Sequence, residues 1–114
     1  MRIESVEQGT VQILRLAGDV DEEGVGVLRT TLLHCIREGR RNVVLNLSGV
    51  RLMSYMGIGV LVERLRQLRA FGGDMKLTGV TVYLDRLFRM VAVSSLFEMH
   101  DSENQAVQVF REAA

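Results

Sequence analysis

The sequence predicts an α/β domain, a central mixed sheet of four to five strands with about four helices packed on it. Three observations carry this. Two short apolar segments joined by Gln8-Gly9-Thr10 read as an opening β-hairpin. Beyond them, brief apolar runs alternate with longer segments patterned at helical spacing. The chain has no proline, so glycine supplies the breaks at Gly18, Gly39, Gly49 and Gly72-Gly73. Strand–helix alternation after a hairpin implies parallel pairing with right-handed crossovers, and hence one antiparallel edge on an otherwise parallel sheet.

Taken in order, Ile3 to Val6 is a short edge strand, and Val11 to Leu16 alternates as its partner, with Val11, Ile13 and Leu16 apolar against Gln12 and Arg15. Gly18-Asp19-Val20-Asp21 closes that strand. Asp21 suits the N-cap of a helix over Glu22 to Glu38, with Glu22 and Glu23 in its positive first turn. Val25, Leu28, Leu32, Cys35 and Ile36 form its buried stripe, and Gly39 stops it. Val43 to Leu47, bounded by Arg41-Asn42 and Ser48-Gly49, reads as a central strand buried on both faces. A second helix is expected over Gly57 to Ala70, with Ile58, Leu61, Leu65 and Leu68 inward and Glu63, Arg64, Arg66, Gln67 and Arg69 outward. Met75 to Thr78 is the next strand, Thr81 to Met90 a third helix, and Phe97-Glu98-Met99 the last strand. Ser102 or Asp101 caps a final helix carrying Ala106, Val107, Val109 and Phe110.

A length of 114 residues suits one domain over 1–114. Fourteen basic residues balance fourteen acidic ones, which gives no bulk electrostatic reason to bind nucleic acid or an anionic membrane. The longest uncharged apolar stretch, Leu52 to Val62, falls short of the about 20 residues a bilayer takes. The N-terminus lacks an apolar run of the signal-peptide kind, and the one cysteine, Cys35, has no internal disulfide partner. A cytoplasmic protein is expected. Enzyme signatures are missing: Gly57-Ile58-Gly59 lacks the third glycine of a dinucleotide loop, and there is no Walker lysine, nucleophile elbow or metal-binding helix motif. Asp19 and Asp21 have no histidine or cysteine at ligand spacing, so neither a metal nor a cofactor is expected. Cys35 reads as a small core hydrophobe, and His34 and His100 are isolated.

Four segments then resemble the STAS domain, the family that includes the bacterial anti-sigma-factor antagonists. Leu16-Ala17-Gly18-Asp19-Val20-Asp21 is similar to the family's L-x-G-x-x-D before the first helix. Val43 to Val50 is similar to v-v-l-D-L-s-x-v, and Met53-Ser54-Tyr55-Met56-Gly57-Ile58-Gly59-Val60-Leu61 resembles D-S-S-G-x-G-v-L. Gly73-Asp74-Met75-Lys76-Leu77 is like G-g-x-l-x-L. The resemblance covers nearly the whole chain. It implies a regulatory module that binds an anti-sigma factor or related serine-kinase-type switch protein, as a monomer or weak dimer. In the family the second serine of D-S-S-G is phosphorylated by that kinase. Aligned on Gly57, this position is Met56, its neighbour is Tyr55, the leading aspartate is Ser54, and the strand aspartate is Asn46. A thioether accepts no phosphate, so regulation by phosphorylation at position 56 is not expected.

The candidate partner-binding residues are therefore Asp19, Asp21, Ser54, Tyr55, Met56, Gly57 and Ile58, on two loops and the start of the second helix. Ser54 is either a helix cap, the favoured reading, or a displaced phosphosite. Tyr55 and Met56 are a docking patch or, alternatively, core. Asp19 and Asp21 are partner contacts, or a loop acid and a cap. Arg64, Arg66 and Arg69 form a solvated face, with docking of an acidic partner as the rival reading. The competing function is a scaffold subunit of a larger assembly, stressosome-like or part of a lipid-transporting ABC system.

Overall fold

A computed structural model describes residues 1–113. The hairpin forms, and both of its strands outrun their expected ends. β1 (Arg2–Gln8) pairs antiparallel with β2 (Val11–Val20), in a register from Arg2 opposite Ala17 to Gln8 opposite Val11. There follow α1 (Glu22–Arg37), β3 (Asn42–Met53), α2 (Tyr55–Ala70), β4 (Asp74–Thr78), α3 (Val82–Met90), a 3-10 turn (Ser94–Leu96), β5 (Glu98–His100) and α4 (Glu103–Ala113). The five strands lie in sequence order, and every pair after the hairpin is parallel. This is the mixed sheet the alternation predicts.

Side-chain alternation splits the interior in two. Leu14, Leu16, Val43, Leu45 and Leu47 join residues of α1, α2 and α3 in one core, while Val11, Ile13 and Val44 meet Ala106, Val107 and Phe110 of α4 in another. Successive right-handed crossovers place α1 to α3 on one face, and α4 covers the other. β3 is buried from both sides, with Val43, Val44, Leu45 and Leu47 each 0% exposed, as a central parallel strand should be. Each such side chain contributes roughly 1.5–3 kcal/mol by leaving water. Cys35 is buried on the stripe of α1, and burial pushes its thiol pKa up, away from nucleophilic use.

Several expected boundaries are corrected. Gly18-Asp19-Val20 does not close β2, and Ser48-Gly49 does not end β3. The two strands stay paired as far as Val20 opposite Met53, through two register slips, whereas β4 pairs with β3 only from Asn42 to Asn46. A two-stranded parallel ribbon thus runs on beyond the rest of the sheet. Gly49 looks like a turn residue in sequence. In the ribbon it serves close approach, since a Cβ there would stand 2.7 Å from the Leu16 carbonyl oxygen. The second helix starts at Tyr55, not Gly57, because Ser54 caps it. The last strand is shifted by one residue, to Glu98–His100.

Candidate partner-binding surface

The ribbon delivers two helix starts side by side. Asp21 caps α1, its carboxylate accepting from the Gly24 amide at 2.9 Å. Gly24 must lack a side chain, because a Cβ there would lie 2.6 Å from the Asp19 carbonyl oxygen. Ser54 donates its backbone N–H to the Val20 carbonyl at 2.9 Å, and its hydroxyl oxygen accepts from the Gly57 amide at 3.3 Å. Both caps therefore hang on the ends of β2 and β3. The first turn of α1 carries Glu22 and Glu23, while that of α2 carries no acid.

On this platform the first two residues of α2 face solvent. Tyr55 is 59% and Met56 66% exposed, and Leu52, the ribbon residue opposite Asp19, is 49% exposed. The reading of Tyr55 and Met56 as core is thereby corrected: their side chains lie outside both cores. Asp19 accepts two hydrogen bonds from Arg51, at 3.1 and 3.0 Å, which hold the guanidinium pKa above its ordinary value. The acid and the base are thus a paired patch on the ribbon.

Two of the expected contacts lie beneath the surface. Gly57 is buried in a tight seat, since a Cβ would meet Val20 Cγ1 at 3.0 Å and Met53 Cγ at 3.2 Å and the two side chains would have to give way. Ile58 is 3% exposed and belongs to the core. They seat the helix start and do not face a partner as free side chains. The outward placement of Arg64 is also corrected. It is 5% exposed, donates to Gln67 Oε1 at 2.8 Å and to the Arg29 carbonyl at 3.4 Å, and leaves its Nε unpartnered among the described residues. Arg69 is tied to Asp74 and to the Leu96 carbonyl. Arg64 and Arg69 are thus engaged within the chain, while Arg66 is exposed and lines a groove beside α2.

Two features went unseen in the sequence. The Tyr83 hydroxyl of α3 accepts from the Met53 amide at 3.1 Å, and is 3.4 Å from the Met53 carbonyl, to which it donates. It clamps α3 to the last residue before the Ser54 cap. Its partner is backbone, so no residue pattern announces it. An apolar groove of about 530 Å³ also opens between α2 and the segment after α3, walled by Tyr55, Ile58, Gly59, Val62, Val91 and Val93. It adjoins Tyr55 and so extends the exposed apolar surface.

The opposite face is polar and tied. Arg15 donates to both carboxylate oxygens of Glu103 at 2.9 Å and to Glu4 at 2.9 Å. Asn46 donates from Nδ2 to Glu103 at 2.7 Å and accepts at Oδ1 from the amide and hydroxyl of Ser48. Arg15 chiefly, and Asn46 after it, hold the Glu103 carboxyl below the usual carboxylate range. An aspartate at 46 would have no N–H to give Glu103. No cluster of three or more metal-ligating side chains occurs among the described residues, and none of the described helices is long and apolar enough to cross a membrane.

The fold is a small α/β domain built on one five-stranded mixed sheet, and the comparisons agree on its family. The STAS domain family matches residues 2–106, so the chain belongs to the STAS family. It is 26% identical over 108 residues to the anti-sigma F factor antagonist of Paenibacillus polymyxa, covering 94% of this chain and 92% of that one. It is 27% identical over 108 residues to the anti-sigma-B factor antagonist of Staphylococcus aureus, covering 95% and 98%. Among solved structures, unphosphorylated SpoIIAA, an anti-sigma factor antagonist, superposes with a TM-score of 0.78 at 21% identity over 96% of this chain and 98% of that one. A sulfate transporter family protein from Wolinella succinogenes superposes with a TM-score of 0.77 at 19% identity, over 91% and 87%.

Proposed function

We propose that this STAS protein is an anti-sigma factor antagonist that works by binding, not by catalysis. Its partner is an ATPase-kinase-type anti-sigma factor or a related switch protein, docked on the first turn of α2 and the adjoining ribbon. The observation that carries the reading is the pair Tyr55 and Met56, large, apolar and more than half exposed at a capped helix start seated on the core through Gly57 and Ile58. Tyrosine and methionine are enriched at protein interfaces, and a patch already ordered costs little to dock. The names of the relatives supply the class of partner. Asp19 with Arg51, and Leu52 beside them, form the flank of the contact.

With methionine at position 56 the surface is permanently free of phosphate there. Ser54, the remaining serine of the motif, has its oxygen engaged by the Gly57 amide and serves as the cap. The test is calorimetric titration against the purified kinase-type anti-sigma factor of the same genome, followed by intact-mass analysis after incubation with ATP. Saturable binding and an unshifted mass are expected. A full shift of one phosphate mapped to Ser54 would show that the acceptor has moved along the chain. A second reading, a scaffold or transporter-associated subunit, draws on the similarity to the transporter-family structure. It requires a large particle or an obligate complex in solution, where the switch module is a monomer or weak dimer; light scattering separates them.

A further inference from the structure

The six methionines fall into two groups by access. Met53 and Met75 are 3% and 0% exposed, and Met1 and Met99 are packed against the core. Met56 and Met90 are 66% and 73% exposed. Oxidation of methionine needs only access to the sulfur. Of these two exposed methionines, one ends α3 and the other belongs to the first turn of α2, beside Tyr55 on the proposed docking surface. We propose that Met56 is a reversible oxidation site, and that its sulfoxide disables docking while leaving the fold intact. This rests on the binding reading above and adds a means of regulating the same site.

The chemistry is a two-electron oxygen transfer from a peroxide. A lone pair on the Met56 sulfur attacks one peroxide oxygen, the S–O bond forms as the O–O bond breaks, and the departing oxygen leaves as water after proton transfer. Sulfur is oxidised and the peroxide reduced. A thiol-dependent sulfoxide reductase reverses the step, the oxygen leaving as water while two thiols are oxidised to a disulfide. The product replaces a flexible apolar end by a polar acceptor. Its oxygen lies at the positive end of α2, whose first amides have no intrahelical acceptor, so the S–O dipole is favoured there and remains hydrated. Docking must then strip that hydration from a polar group, where the reduced side chain presents an apolar end. The core sulfurs of Met53 and Met75 are shielded, so mild peroxide marks the surface first.

The test uses the full chain and the kinase-type anti-sigma factor named above. Met90→Leu leaves Met56 as the one well-exposed methionine. Hydrogen peroxide treatment, peptide mapping and calorimetric titration are expected to give oxygen on Met56 before Met53 or Met75, an unchanged melting temperature, and about tenfold or greater loss of affinity. Methionine sulfoxide reductases A and B should restore binding. In Met56→Leu, whatever its starting affinity, peroxide should no longer change it. Oxidised Met56 with unaltered affinity, or peroxide-sensitive binding in Met56→Leu, would overturn the proposal, as would Met53 or Met75 reacting as fast as Met56. If the reduced protein does not bind at all, the docking reading itself falls and takes this one with it.

Discussion

Two helices of this molecule start in nearly the same way and are put to opposite uses. α2 and α4 both follow a serine cap, with Ser54 accepting from Gly57 at 3.3 Å and Ser102 from Gln105 at 3.1 Å. The first residue of α4, Glu103, is then locked by Arg15 and Asn46, and Ala106, Val107 and Phe110 close over the sheet. The first residues of α2, Tyr55 and Met56, belong to neither core and stand more than half in solvent. The cap sets where a helix begins. What the first turn is for depends on whether its side chains find partners inside the chain. Here the first residue of α4 is held by polar partners, while the Tyr55 and Met56 side chains stand largely in solvent.

That contrast makes separable predictions. Tyr55→Ala combined with Met56→Ala should weaken anti-sigma factor binding by about 10- to 100-fold, as for loss of an aromatic anchor, while changing unfolding free energy by less than about 0.5 kcal/mol. Calorimetry and urea unfolding read the two effects. Glu103→Gln should do the reverse, costing about 1–2 kcal/mol of stability at neutral pH with unchanged affinity. Its pH signature follows from the depressed carboxyl. A folded-state pKa below the unfolded value of about 4.3 gives stabilisation that is complete above that pH and lost as pH falls through the folded value. Urea unfolding from pH 6 downward should therefore show the wild-type advantage over Glu103→Gln shrinking in acid. Glu98, lowered chiefly by Lys76, keeps some slope in both proteins.

Smaller effects sharpen the boundary between the two regions. Tyr83→Phe removes the hydroxyl that holds Met53, and should cost about 1 kcal/mol. It supports the residue before the Ser54 cap, so a few-fold loss of affinity should accompany the change, measured by the same titration. Arg51→Ala breaks a solvent-screened pair and should leave the urea unfolding midpoint almost unchanged. Any effect it has on binding would then report direct contact by the ribbon.

Much of this was legible in the sequence. Element order, the antiparallel edge, the buried run Val43 to Leu47 and the Asp21 and Ser54 caps all follow from periodicity and cap chemistry, which are local. The exposure of Tyr55 and Met56 was readable as the favoured of two alternatives, from their place at a loop-to-helix junction. What escaped depends on distant partners. The length of β3 is set by β2 pairing across two slips that glycines permit. Arg64 carries a charge that suggests solvent, yet its stem lies buried with its head on Gln67 and the Arg29 carbonyl. Ile58 and Gly57 sit in the motif most like a contact and serve as its seat. Asn46 looked like a lost aspartate and proves to be a donor to Glu103.

The central claim is that docking takes place at the start of α2 and leaves the α4 face alone. Hydrogen–deuterium exchange of the protein, free and saturated with the kinase-type anti-sigma factor, tests it most directly. The first amides of a helix have no intrahelical acceptor and exchange quickly when exposed. The account predicts new protection in peptides covering residues 50–60, including the Tyr55 and Met56 amides, and none in 103–113. Protection concentrated on α4 and β1, with 50–60 unchanged, would contradict it.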